Sequence, residues 1–142
     1  MLYRLNSDRS VSPCSPEEHM RLISNPDYRR LARDEFNGYA VSTTFSGVDL
    51  RSIDKPLPAP LLFSVTVFDP DIAILALMNC ASWQVAMARH ALCFKALREI
   101  LATAPVENWR AGPAYRRKRQ EQDRSPENVR EALLEAVYSN SR

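Results

Sequence analysis

Glycine is scarce here, three residues in 142. Phosphate-cradling loops, propeller blades and flexible linkers draw on glycine, because their backbones need positive φ or close approach. That chemistry is therefore excluded. Cysteine is as rare: Cys14, Cys80 and Cys93, an odd number without paired spacing. The count excludes a disulfide scaffold and a CxxC metal site, and predicts reduced thiols in a cytoplasmic setting. Long apolar runs are missing. The longest, Ile72 to Met78, has seven residues, where a bilayer span needs about 20. The opening MLYRLNSDRSVSP has no apolar stretch of the kind a secretory signal carries. There is no GxGxxG, HExxH or GxSxG. No cofactor, metal or membrane partner is expected.

What is present suits a single ordinary domain. Hydrophobic residues make up 45%, charged residues 25%, and there are ten prolines. A net charge of +2 exerts no strong pull on nucleic acid. The charge is uneven, however. Residues 110–124 hold Arg110, Arg116, Arg117, Lys118, Arg119 and Arg124 against Glu121 and Asp123, a local +4.

Residues 1–14 read as polar and irregular. Ser15, Pro16 and Glu18 have the chemistry of a helix start, and residues 15–34 read as two short helices, or one helix with a kink, interrupted at Asn25-Pro26. After the Asn37-Gly38 turn, Tyr39, Val41, Thr43 and Phe45 alternate with small residues, which predicts a strand over 39–46. Residues 47–60, GVDLRSIDKPLPAP, form a long connection stiffened by three prolines. A second strand is predicted over 60–68 and a third over 72–78, with the start of the long helix as the alternative for the third. Ser82 caps the strongest helix pattern, 82–104, with its stripe through Trp83, Met87, His90, Phe94, Leu97 and Leu101. Residues 105–124 read as a basic linker and 126–138 as a last helix. The predicted fold is α+β: a three-stranded antiparallel meander on a long helix, with helices at both termini. The domain reading is an irregular 1–14, a core of 15–104, the linker and the final helix.

Three constellations carry chemistry. His90 and Cys93 lie three apart on one helix face, the spacing of a nucleophile pair or half a metal site. With Asp49 they form the enzyme reading, which ranks last, because both belong to an apolar stripe. A buried histidine bonded to a carbonyl is the expected outcome. Asp49, Asp54, Asp69 and Asp71 read as turn residues bonding their own backbone. Trp109 and Tyr115 beside Arg116, Arg117, Lys118 and Arg119 form the alternative reading, a nucleic-acid contact by phosphate pairing and base stacking.

The first reading is an interaction surface on the loop, formed by Val48, Asp49, Leu50, Arg51 and Ile53. Apolar side chains on a loop whose backbone resists burial predict a partner. A free strand edge at 39–46, or the stripe of the last helix, offers a place for a second copy.

The words VSTTFS-GVDL, PLLFSVTVF and SWQVAMARH, over residues 35–98, resemble uncharacterised small proteins of bacteriophages and prophages. Members show "VSTVF-GLDH", then "PLLFETMVF", then a helix opening near Ser/Thr-Trp and reaching Gly-His. This sequence matches the family's aspartate at Asp49 and its histidine at His90. It departs at Leu50, Ser64 and Arg89, where the family has histidine, glutamate and glycine. The resemblance implies a phage or mobile-element origin and an α+β fold. Together with the missing catalytic constellation, the scarce glycine and the proline-stiffened loop, it leads to the first function reading: a non-catalytic accessory protein in a bacterial host cytoplasm, binding a host or phage protein and inhibiting host machinery or antiviral defence. It implies no reaction.

Overall fold

The computed structural model describes residues 1–51, 57–102 and 126–139. The fold is mixed α+β. Two antiparallel sheets, of two and four strands, and four helices make up the described residues. The small sheet is a hairpin of β1 (Leu2–Leu5) and β2 (Val11–Cys14). Two helices follow, α1 (Pro16–Ile23) and α2 (Pro26–Arg29). The large sheet then runs in order through β3 (Arg30–Phe36), β4 (Tyr39–Phe45), β5 (Phe63–Phe68) and β6 (Ile74–Cys80). It is crossed by α3 (Trp83–Ala102), and α4 (Pro126–Ser139) packs on α3 and β6. Among the described residues no helix is long and apolar enough to cross a membrane.

Local chemistry accounts for the elements. Ser15 caps α1, its hydroxyl accepting from the Glu18 amide at 3.2 Å, with Pro16 in the first turn. Asn25 caps α2 through the Asp27 amide. Asn37 and Gly38, at φ of 52° and 84°, form the two-residue turn between β3 and β4. Asp69 organises the β5–β6 turn: its Oδ1 accepts from the amides of Asp71 and Ala73.

Register decides which side chains are inside. Val41, Thr43 and Phe45 stand opposite Val67, Val65 and Phe63, and these opposite Ala76, Met78 and Cys80. All nine are buried against α3 and α4, with Leu97, Leu101, Val129, Leu133 and Val137. At roughly 25 cal/mol per Å², each large side chain so buried contributes about 2 kcal/mol. The alternate residues Ser42, Thr44, Ser64 and Thr66 form the other, half-buried face.

Several expectations are corrected. The first fourteen residues are a hairpin, not irregular. The central sheet has four strands, because residues 30–36 are a strand and not the end of a helix. Asn25-Pro26 ends α1, and the single turn of α2 is too short to carry the chain further. The strand over 39–46 is internal, flanked by β3 and β5, so it offers no free edge. The apolar stripe of the last helix is core: Val129, Leu133 and Val137 are buried. The third segment is a strand, but it begins two residues later than expected, because Asp69 to Ala73 are used in the turn.

Candidate functional site

The loop that follows β4 is built from Gly47 outward. Gly47 sits at φ 70°, and a Cβ there would lie 2.7 Å from Cε1 of His19 and 2.9 Å from the Tyr3 carbonyl oxygen. Only glycine fits, and the fit has a purpose. The Gly47 carbonyl accepts from the Tyr3 amide at 2.9 Å, and Leu2 bridges to Val48. The loop thereby docks the N-terminal hairpin and buries His19. The hairpin is fixed at further points. Tyr28 Oη accepts from the Leu5 amide at 2.6 Å, Arg4 pairs with Glu18, and the Arg9 guanidinium lies 5.5 Å above the Trp83 ring.

Asp49 closes the base of the loop. Its Oδ2 accepts from Arg51 Nε at 2.7 Å, and its Oδ1 accepts from the amides of Arg51 and Leu61 at 3.0 and 3.1 Å. The Arg51 guanidinium also donates to the Leu57 carbonyl at 2.9 Å. A backbone bond from Leu50 to the Leu61 carbonyl adds to the closure. The Arg51 hydrogen bond, with help from the two amides, holds the Asp49 carboxyl down to about 2. It is ionised throughout the neutral range. Around this base Val48 and Leu57 are 43% and 47% exposed, while Asp49, Leu50 and Arg51 are half-buried. Ile53 lies outside the described residues.

His90 stands elsewhere. It is buried, as its place on the apolar stripe predicts, but its partners are side chains rather than a carbonyl. Nε2 lies 2.8 Å from Asp34 Oδ2, and Nδ1 lies 2.7 Å from Thr43 Oγ1. A carboxylate only accepts, so Nε2 carries the proton, and in the neutral ring Nδ1 accepts from the Thr43 hydroxyl. The order acid, imidazole, hydroxyl is that of a nucleophile relay. Thr43, however, is wholly buried in the middle of β4, so its hydroxyl meets no substrate. The relay pins β3, β4 and α3 together.

Neither Cys93 nor Asp49 bonds the His90 ring, so the sequence-predicted trio is not assembled. Burial pushes the Cys93 thiol up to about 11, which keeps it protonated at neutral pH. Among the described residues no cluster of three or more His, Cys, Asp or Glu is arranged to hold a metal. Trp109, Tyr115, Arg116, Arg117, Lys118 and Arg119 lie outside the described residues, as does Asp54. Sequence reasoning missed Asp34 and Thr43. The signal for Thr43 was available: one polar residue on an otherwise apolar strand face, matching one polar residue on an apolar helix stripe. No family model matches this chain, and no curated protein or solved structure is significantly similar to it.

Proposed function

We propose that this chain is a non-catalytic accessory protein of the phage or prophage kind, which binds a host or phage protein through the loop that opens at Gly47. One observation carries the reading. The Asp49 carboxylate ties Arg51 and Leu61 across the loop base, and Arg51 in turn holds Leu57. Val48 and Leu57 are thus presented to solvent from a braced frame. A braced apolar surface loses little conformational entropy when a partner covers it, which favours recognition. The spending of the His90 ring on internal hydrogen bonds supports a binding role over a catalytic one. The resemblance to phage proteins supports a bacterial cytoplasmic partner and an inhibitory outcome.

The test uses Val48→Asp with Leu57→Asp, since Leu50 and Arg51 belong to the brace. Tagged wild-type chain and the double variant are each passed through bacterial lysate, and captured proteins are identified. The expected result is a protein retained by wild type and lost by the variant, whose melting temperature is unchanged. Retention of the same protein by a folded variant would sink the proposal. Retained nucleic acid, lost steeply with salt, would move the function to residues 110–124.

A further inference from the structure

The four-stranded sheet has two edges, and they are treated differently. β3 is defended. Arg30, Arg33, Asp34 and Glu35 place four charges on seven residues, and its register shifts between Arg30 and Ala32. Charge and irregularity are the usual means of keeping an edge from pairing. β6 has neither along most of its length. Ile74–Cys80 holds no charge and no proline, and no charged residue occurs between Asp71 and Arg89. Its register shift is confined to the end beside Phe68, leaving Ala76 to Cys80 regular. Among the described residues β6 pairs with β5 alone. Its exposed side chains are the apolar Ile74 and Leu77, 57% and 51% exposed, and the uncharged Asn79, whose Oδ1 accepts from Ser64 Oγ; Ile72 in the turn before it is 79% exposed. Ile72 also sits at φ 65°, a conformation that disfavours a β-branched residue.

We propose that β6 is a homodimer edge, pairing antiparallel with β6 of a second copy to join two four-stranded sheets into one of eight. An unpaired strand edge offers a row of amides and carbonyls whose natural complement is another strand. The side chains narrow the choice of strand. A charged partner strand would lose hydration against Ile74 and Leu77 with no opposite charge to meet it. A second β6 brings neither charge nor proline, and a two-fold axis makes the match self-consistent. Full overlap of Ile74–Cys80 with itself sets Leu77 opposite Leu77 at the axis. Ala76 then faces Met78, Leu75 faces Asn79, and Ile74 faces Cys80. The two Leu77 side chains meet on the face that carries Thr66, its cross-strand neighbour, and bury each other there. This surface is separate from the loop at Gly47, and the proposal stands whether or not that loop binds a partner.

The experiment is sedimentation equilibrium on the full chain at about 100 μM, enough to fill a micromolar interface. The expected mass is twice the 16.2 kDa of one chain. Leu77→Lys, at an exposed position, should keep its circular dichroism and weaken the dimer more than tenfold. Arg33→Glu on the other edge should leave it intact. Leu77→Cys in a Cys14→Ser background should oxidise to a covalent dimer, because the axis brings the two positions together. A wild-type monomer at this concentration overturns the proposal. So does a dimer that survives Leu77→Lys and leaves Leu77→Cys uncrosslinked. A monomer whose β6 amides resist hydrogen exchange also overturns it, by showing the edge occupied by some other segment.

Discussion

Thr43 puts a hydroxyl on a strand face otherwise made of Tyr39, Val41 and Phe45, and His90 puts an imidazole on a buried helix face with Ala86, Cys93 and Leu97. Each is tolerable because the other is there. A buried polar group left without its partner costs about 1–3 kcal/mol. Thr43→Val keeps the shape and strands Nδ1 of His90, so it should destabilise the fold by about 1–3 kcal/mol. Asp34→Asn should cost less than about 1 kcal/mol, because Asp34 is half-exposed and water replaces part of what is lost. Urea unfolding of the two variants checks the order. Equal costs would mean that the Asp34 contact contributes as much as the buried one.

At the scale of elements, the loop brace has a definite pH range. The folded Asp49 carboxyl is depressed to about 2 from an ordinary 3.8. A depressed acid contributes stability above its unfolded value and loses it as pH falls through the folded one. The Leu61 amide should therefore stay protected from hydrogen exchange at pH 3.8 and open near pH 2. Asp49→Ala should expose it at every pH. Protection lost already near 4 would show that the brace is not carried by the ionised carboxylate.

Elements were legible in the sequence where local rules and tertiary packing agree. The β4 alternation and the Ser15 and Ser82 caps appear in the fold, and the Val85 amide donates to Ser82 Oγ at 3.2 Å. The α3 stripe appears in part: His90, Leu97 and Leu101 are buried beside Ala86, Cys93 and Ala96, while Trp83, Met87 and Phe94 are half-buried. β3 was hidden because an edge strand packs on one side only, so Arg33, Asp34 and Glu35 mask its alternation. Asn37-Gly38 reads as a turn in the sequence, and such a pair next to a strand implies a strand on both sides. β1 and β2 were hidden because four residues give no period, and their stability comes from Gly47, Tyr28 and Trp83, distant in sequence. The loop base was only half legible. Asp49 reads from the sequence as a loop-surface residue, but its grip on Leu61 depends on the return of the chain twelve positions later.

Among the described residues, the proposed binding loop and the proposed β6 edge both lie outside the buried core. α3 is the hub, packed against the sheet on one side and α4 on the other. The uncharged stretch that lets β6 present a clean edge has a cost when the molecule opens. Ile72 to Met78 is a seven-residue segment of high apolar content with no charge and no proline, the composition from which intermolecular steric zippers are built. Heated chains should meet through this segment before they refold, so thermal unfolding should end in precipitate and depend on scan rate. Leu77→Lys would act as a gatekeeper in the middle of the segment. It should restore recovery on cooling, measured as the fraction of soluble, circular-dichroism-active protein after one heating cycle. The same residue would then set both how two folded copies meet and whether unfolded ones can part.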